Sequence, residues 1–341
     1  MKTNNFAKYL SDFLGKYLPG ERNASTNTIL SYKDAFVQFI TFMKKKKGVE
    51  VQKLTLEKIT KDSVVEFLNW LQEEKHCSNA TRNYRLAAIR SFFYYVQYEN
   101  PERLFECQRI LSIKIKKHRK KSINYLTTDG IKLLLEQPDL NTRNGHRNLA
   151  LLALMYDSGA RVQEIIDLTP SSIRLDFPSI VKLVGKGNKA RIVPLQEEQI
   201  VFLKSYMQQN HLQEPHANMY PLFSNSRNEK LSRAGITYIL KTYASQARNA
   251  NPSIIPEILS CHSLRHSKAM HLLQAGVNLI YIRDILGHVS VQTTDIYARA
   301  DSKQKREAFE KAYEEMKPEG YKVKSWEKDP NLLEWLKSLK N

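Results

Sequence analysis

Apolar residues recur every three or four positions through most of the chain, which is the period of an amphipathic α-helix. Ser25, Thr60 and Ser78 stand where N-caps are expected, and Pro19-Gly20 is expected to end the first helix. The first hundred residues therefore predict a bundle of four helices. These helices are predicted over residues 3–18, 26–47, 61–71 and 79–98.

A run of positive charge follows this bundle. Residues 114–121 read KIKKHRKK, with six Lys or Arg, no acid and no apolar stripe. Like charges repel one another, so the stretch predicts a linker. Contact with a phosphate backbone would hold this linker in place. A nuclear-localisation-like run is the alternative interpretation. We expect a helical domain over residues 1–113, a basic linker over 114–124 and a second domain over 125–341.

The second domain contains an alternation of period two, typical of β-strands. Residues 180–184 and 190–193 alternate, and residues 185–189 join them as a hairpin turn. Helices are predicted before and after this hairpin. One is capped by residues 125–129 and ends at Glu136, and the others span residues 148–158, 161–168, 196–209, 232–247, 263–275, 279–286 and 290–298. The predicted fold class is mainly α with a small β-sheet.

Composition narrows the classes of function. The chain holds 53 Lys and Arg against 35 Asp and Glu, a formal charge of +18, which favours a polyanion, nucleic acid first, as partner. Three widely spread cysteines, Cys77, Cys107 and Cys261, indicate reduced thiols and a cytoplasmic setting. The amphipathic N-terminus carries Asp12 and does not resemble a signal peptide. The longest apolar run, residues 149–156, is too short for a membrane span.

The residue types best suited to phosphoryl chemistry stand between positions 261 and 299. Arg265 offers a planar fork of donors that grips two phosphate oxygens, and it lies one helical turn from His262. His262 and His288 titrate near neutrality. The Tyr297 hydroxyl, once deprotonated, can attack phosphorus and hold the product covalently. This combination predicts a single phosphoryl-transfer site.

The same segment offers a metal alternative. His262 and His266 form a His-x-x-x-His pair, which is a spacing found in zinc sites. The pair lacks the adjacent glutamate of a His-Glu-x-x-His motif, so we expect no metal.

Five motifs in order resemble the tyrosine recombinases, the phage-integrase family. Residues 262–266 (HSLRH), residues 286–288 (LGH) and Tyr297 match its C-terminal signature. Residues 158–164 (SGARVQE) resemble its first arginine box, and residues 185–187 (GKG) its lysine-bearing turn. The resemblance implies an N-terminal four-helix, SAM-like core-binding domain and a C-terminal α+β DNA breaking-rejoining catalytic domain.

The resemblance also implies an activity, namely cutting one DNA strand by transesterification through a 3′-phosphotyrosyl link. Tyr297 would be the nucleophile, whereas Tyr281 lies before the LGH motif, where the family has none. A covalent link conserves the phosphodiester energy, so no cofactor is expected. The expected partners are double-stranded DNA, three further copies of the chain on synapsed sites, and accessory DNA-bending proteins.

The remaining roles follow from the same resemblance. Arg161 and Arg265 would neutralise the nonbridging oxygens, and Lys186 would protonate the leaving 5′ oxygen. His262 would assist proton transfer at the tyrosine, and His288 would bond a phosphate oxygen. Glu164 is interpreted as an orienting group. The alternative for Arg161 is a purely structural role, an ion pair with Glu164 on its own helix.

Candidate DNA contacts lie outside the catalytic motifs, on the fourth helix and in the linker, where a merely solvated basic face is the alternative. They are Thr81, Asn83, Arg85, Arg90, Lys116, Lys117 and Arg119. The tail from about residue 301 is amphipathic and can pack in cis or dock in trans. The leading function is a site-specific DNA recombinase or integrase. The alternatives are a type IB topoisomerase and a catalytically silent DNA-binding regulator.

Overall fold

The computed structural model describes residues 5–117, 123–185, 187–288 and 290–300. Its residues fall into two compact units, divided between residues 121 and 122. Three features predicted from the sequence lie outside the described residues: Lys186, Arg119 and the tail after residue 300.

The first unit is helical, and its N-caps confirm the predicted starts. Its helices are α1 (Asn5–Asp12), α2 (Thr26–Lys47), α3 (Lys61–Glu73), α4 (Asn79–Glu99) and α5 (Leu104–Leu111). The side chains of Ser25, Thr60 and Ser78 each accept a hydrogen bond from the main-chain N–H three residues later. These bonds satisfy N–H groups that lack partners inside the helix.

Two features of this unit differ from the sequence prediction. The first helix continues past Pro19 as a π-helical segment, Phe13–Glu21, because burial of Phe13 and Leu18 outweighs the missing proline N–H. The short helix α5 was not predicted, since only Cys107 and Ile110 of its eight residues are buried.

Aromatic rings hold the first unit together. Phe13 of the π-helical segment, Phe36 of α2 and Phe92 of α4 are each at most 2% exposed. Their ring centroids lie 5.1 to 6.4 Å apart in edge-to-face arrangements. Each such pair adds about 0.5–1.5 kcal/mol beyond the burial of apolar area. These rings therefore fix α4 against its neighbours.

Amide side chains on α4 bind the main chain at residues 116 and 117, and we call Asn79 and Asn83 the asparagine clamp. Asn79 Nδ2 donates to the Lys117 carbonyl at 2.8 Å. Asn83 Nδ2 donates to the Lys116 carbonyl at 2.8 Å, and its Oδ1 accepts the Lys116 N–H at 3.1 Å. Two residues of the basic stretch are thus hydrogen-bonded to α4.

The second unit consists of helices and one small antiparallel sheet. Its elements are α6 (Thr128–Leu135), α7 (Arg143–Asp157), α8 (Val162–Ile166), β1 (Ile173–Arg174), β2 (Ile180–Val184), β3 (Ala190–Pro194), α9 (Glu197–Gln209), α10 (Arg233–Ala250), α11 (Cys261–Gln274), α12 (Leu279–Leu286) and α13 (Val291–Ala300). The strand order is β1-β2-β3. The two-residue β1 was not predicted, because two residues give no measurable alternation. The predicted class, mainly α with a small sheet, is confirmed.

Helix α7 forms the centre of the second core. Residues 148–155 are buried without interruption, as the apolar sequence predicted. The helix begins five residues before its predicted start, because the Thr142 hydroxyl caps it by accepting the Gly145 N–H at 3.0 Å. Among the described helices, none is long and apolar enough to cross a membrane.

Candidate active site

Three guanidinium groups meet at the C-terminal end of α12, on three consecutive main-chain carbonyls. Arg191 Nε donates to the carbonyl of residue 285 at 2.7 Å. Arg265 Nη2 donates to that of residue 286 at 2.7 Å, and Arg161 Nη2 to that of residue 287 at 3.1 Å. The last carbonyls of a helix lack intrahelical partners and carry its negative dipole end, so they stabilise cations. We call these three side chains the arginine cluster.

Arg265, on α11, is the most deeply buried member of the arginine cluster, at 1% exposure. Its Nη1 also donates to the Gly159 carbonyl at 2.7 Å, and its Nε has no partner among the described residues. Burial, together with Arg161 and Arg191, lowers the pKa of Arg265 to about 10. The side chain is therefore still a cation at neutral pH.

Glu164 joins two members of the arginine cluster. Its side chain is 3% exposed, and its carboxylate accepts from both Nη atoms of Arg191 at 2.8 and 2.9 Å. Arg161 donates Nη1 to the same carboxylate at 2.8 Å. Burial raises the pKa of Glu164, but hydrogen bonds and charges from the arginines outweigh it, so the pKa lies below its usual value. The ion pair between Arg161 and Glu164 is therefore present, and the role of Arg161 at a phosphate stays a prediction.

Arg191 was missed as a site residue by the sequence analysis, although the sequence carries a signal for it. It stands two residues before Val193, which faces the core of the sheet. Successive side chains of a strand point to opposite faces, so Arg191 shares the inward face with Val193. A charged residue in the inward phase of a strand needs a buried partner, and here that partner is Glu164.

Two glycines let main chain approach the cluster closely. A Cβ atom at Gly185 would lie 3.0 Å from Glu164 Oε1, and one at Gly287 would lie 3.0–3.3 Å from the Arg191 side chain. Gly287 also has a φ of +65°, as its predicted place at the end of a helix requires. The Gly185 N–H donates to the Lys189 carbonyl at 2.9 Å and closes the base of the hairpin.

Tyr297, on α13, is 1% exposed and lies beside two histidine rings. Its hydroxyl is hydrogen-bonded to His266 Nδ1 at 2.9 Å, and the His288 ring is parallel to its own, 6.4 Å away. Burial raises the pKa of Tyr297, while Arg265 and Arg161 act in the opposite direction. Burial therefore favours the neutral phenol, and the positive charge of the two arginines favours its ionised form.

The histidine that contacts the phenol differs from the one expected. The sequence analysis gave His262 the role at the tyrosine, whereas the hydrogen bond is made by His266. His262 packs edge-to-face on the His266 ring at 4.5 Å. The His-x-x-x-His spacing thus places two rings edge to face, one of them bonded to Tyr297. Among the described residues, no three His, Cys, Asp or Glu side chains are grouped as metal ligands.

The imidazoles of the site are neutral at pH 7. Burial lowers the pKa values of His266 and His288 to about 4, helped by His262 and Arg265 at His266 and chiefly by Arg265 and Arg161 at His288. Burial and the charges of Arg265 and Arg161 lower that of His262 as well. His288 Nδ1 is hydrogen-bonded to Thr294 Oγ1 at 2.9 Å, and its other ring nitrogen has no hydrogen-bond partner among the described residues.

The candidate DNA contacts on α4 do not share one face. Arg85 pairs with Asp34 of α2 and donates to the Ser31 carbonyl at 3.3 Å. Asn83 belongs to the asparagine clamp. Arg90 lies seven residues after Asn83, and hence on its side of the helix, but five after Arg85 and therefore away from it. A count of polar positions along α4 does not give the angles of their side chains around the helix, so it cannot show which of them share a face.

Comparison with known proteins identifies the family. The family described as "Phage integrase family" matches residues 124–304, and "Phage integrase, N-terminal SAM-like domain" matches residues 11–100. The chain belongs to the phage-integrase family, the tyrosine recombinases. It is therefore an enzyme that cuts and rejoins DNA strands in site-specific recombination, as predicted, rather than a topoisomerase or a silent regulator.

Individual relatives cover most of the chain. The tyrosine recombinase XerD of Staphylococcus epidermidis is 32% identical over 290 residues, 85% of this chain and 93% of that protein. The Sinorhizobium fredii protein y4rC, whose name describes an integrase/recombinase, is 34% identical over 339 residues, 99% of each chain.

Solved structures confirm the fold. The XerH site-specific recombinase bound to its difH substrate, in a pre-cleavage complex, matches with a TM-score of 0.64 at 25% identity, over 87% of this chain and 83% of that one. The Tn1549 transposon integrase matches with a TM-score of 0.67 at 16% identity, over 89% and 98%.

Proposed function

We propose that the chain cuts and rejoins double-stranded DNA with Tyr297 as its nucleophile. The phenolate oxygen attacks the scissile phosphorus, the bond to the 5′ oxygen breaks, and that oxygen leaves as a hydroxyl after taking a proton. A 5′ hydroxyl from another strand reverses the step and restores the phosphodiester. The observation that carries the proposal is the buried Tyr297 on α13, which packs against α12 and against α11, the helix that carries Arg265.

Charge supports this chemistry. Three guanidiniums and the Glu164 carboxylate carry a net formal charge of +2. A phosphodiester carries one negative charge, and its pentacoordinate form gathers a second on the nonbridging oxygens. The cluster therefore matches the transition state better than the bound substrate, which is the condition for catalysis. Arg161 and Arg265 are the members proposed to touch the phosphate.

Proton transfers are assigned by position. His266, neutral and 2.9 Å from the phenol, is proposed to take its proton, with His262 packed behind it. The free ring nitrogen of His288 is proposed to bond a phosphate oxygen. Lys186 is proposed to protonate the leaving 5′ oxygen, because it directly follows Gly185, where a Cβ atom would lie 3.0 Å from Glu164 Oε1.

The partners are proposed from the family and the charge. XerH, 25% identical, is described as bound to its difH substrate, and a chain of charge +18 suits a DNA duplex. We propose that the domains divide at the basic linker, that four copies act on two synapsed sites in the cytoplasm, and that DNA-bending proteins assist them. The residues after 300 are proposed to dock on a neighbouring copy.

Trapping of a covalent adduct tests the nucleophile. The full chain is incubated with a nicked suicide site, and adduct formation is followed by gel electrophoresis. Tyr297→Phe should lose the adduct while still binding DNA. Tyr281→Phe, at a 66% exposed tyrosine on α12, is the matched control and should keep it. An adduct that survives in Tyr297→Phe would show that another residue attacks.

A further inference from the structure

Arg191 uses its whole guanidinium on protein partners. Its two Nη atoms donate to the Glu164 carboxylate, and its Nε donates to the carbonyl of residue 285. Its side chain is 10% exposed, against 37% for Arg161. With every nitrogen engaged and little surface open, Arg191 faces protein atoms rather than a position that a phosphate could occupy.

The contact between Arg191 and Glu164 limits how much of the Arg161 guanidinium can bind the same carboxylate. Glu164 offers two oxygens, and Arg191 donates to both of them, so Arg161 contributes only Nη1 from its side chain. The Nη2 of Arg161 is then free to reach the Gly287 carbonyl at the end of α12. Arg161 is thereby held at two points, while its side chain stays 37% exposed.

Removal of Arg191 would change how Arg161 divides its hydrogen bonds between Glu164 and the carbonyl of residue 287. A carboxylate that is 3% exposed needs compensation, and Arg161 would be the remaining cation in contact with it. Arginine and carboxylate prefer a bidentate pair, so Nη2 of Arg161 would turn from residue 287 towards Glu164. The net formal charge of the cluster would also fall from +2 to +1. Both changes weaken the grip on a phosphate.

We infer that Arg191 is a positioning residue, which keeps Arg161 aimed at the scissile phosphate by occupying the Glu164 carboxylate. The inference rests on the proposed role of Arg161 at the phosphate. Arg191 stands on β3 and also packs over Gly287, directly before His288. It therefore joins the strand, the first arginine box and the end of α12 before any DNA is bound.

A double-mutant cycle tests the inference. Single-turnover cleavage of a suicide site is measured for the full chain and for Arg161→Ala, Arg191→Gln and the double variant. Arg191→Gln should slow cleavage by about 100-fold, as a misplacement of about 1 Å does, with DNA affinity unchanged. If Arg191 acts through Arg161, the double variant should be as slow as Arg161→Ala alone. A double variant slowed by the product of both effects would overturn the inference.

Controls separate folding from positioning. Thermal unfolding checks each variant, and Arg191→Lys, which keeps the charge but cannot fork onto Glu164, replaces Arg191→Gln if that variant unfolds. Arg174→Gln is the matched control, since Arg174 lies on β1 and donates to the Pro178 carbonyl. It should cleave like the parent chain. Normal cleavage by Arg161→Ala would refute the proposed function, whereas normal cleavage by Arg191→Gln and Arg191→Lys alone would refute only this inference.

The cleavage rate on an uncharged substrate distinguishes a positioning role from a purely structural one. A methylphosphonate at the scissile position replaces one charged nonbridging oxygen with a methyl group, so less positive charge is needed there. Arg161→Ala and Arg191→Gln should both recover to within about tenfold of the parent chain on this substrate. Recovery of Arg161→Ala without recovery of Arg191→Gln would overturn the inference.

Discussion

Gly287 is the position where one added methyl group should separate catalysis from stability. Its φ is +65°, and a Cβ there would lie 3.0 Å from Arg191 Cδ, 3.1 Å from Nη1 and 3.3 Å from Cζ. Gly287→Ala therefore adds backbone strain and displaces a guanidinium. The carbonyl of the same residue accepts from Arg161, so the disturbance reaches two members of the arginine cluster.

The two effects have different sizes. Alanine in the left-handed region costs about 1–2 kcal/mol, which lowers the melting temperature of a unit of this size by about 2–8 °C. The contact is made with the Arg191 side chain, which has to give by only a few tenths of an ångström, so its bonds to Glu164 can persist with little further loss of stability. Catalysis is more sensitive, since a displacement of about 1 Å can slow a reaction by about 100-fold. A shift of a few tenths of an ångström should therefore slow single-turnover cleavage by roughly 3- to 10-fold.

Gly276 supplies the matched control. Its φ is +82°, and no atom lies within 4 Å of the position that its Cβ would take. Gly276→Ala should therefore lose similar stability and cleave at the parent rate. Calorimetry gives the melting temperatures, and adduct formation on a suicide site gives the rates. Equal cleavage rates for the two variants would refute the link between Gly287 and the arginine cluster.

Two further predictions concern pH and the basic stretch. The pKa values of His266 and His288 are about 4 when folded and about 6.5 when unfolded, so the unfolded chain binds more protons between these limits. The free energy of unfolding should thus be at its maximum above about pH 7 and fall by roughly 2 kcal/mol towards pH 5, after allowance for solvent screening. Urea unfolding at a series of pH values measures it. A flat profile would contradict the burial of these rings. Asn83→Ala frees the main chain at Lys116 and should speed tryptic cleavage there several-fold without lowering the melting temperature, whereas an unchanged rate would mean that the clamp is weak. Neutralising residues 114–121 should reduce the salt dependence of DNA binding by about 0.9 per lost phosphate contact, and an unaltered slope would make the stretch a plain tether.

Long periodic segments were predictable from the sequence. The helices α2, α4 and α12 and the strands β2 and β3 carry strong periodicity with local caps or turns, so local and tertiary preferences agree. Helix α5 and strand β1 are too short for periodicity to show, and their positions depend on tertiary contacts. The π-helical segment shows the same limit, since Pro19 signals a break that packing overrides.

The site was predictable by residue type but not by pairing. Arg161, Arg265, His288 and Tyr297 stand in motifs, yet sequence spacing alone could not distinguish His262 from His266 as the partner of the phenol. The choice depends on how α13 packs on α11, which is a tertiary contact.

The end of α12 has a consequence for the tolerance of this enzyme to substitution. The three arginines recognise main-chain oxygens, and every residue has such an oxygen whatever its side chain. Exposed α12 positions such as Ile280 and Tyr281 can therefore change freely while the hydrogen bonds of the three arginines persist. A saturation library of this helix should accept many residues at those two positions and very few at Gly287.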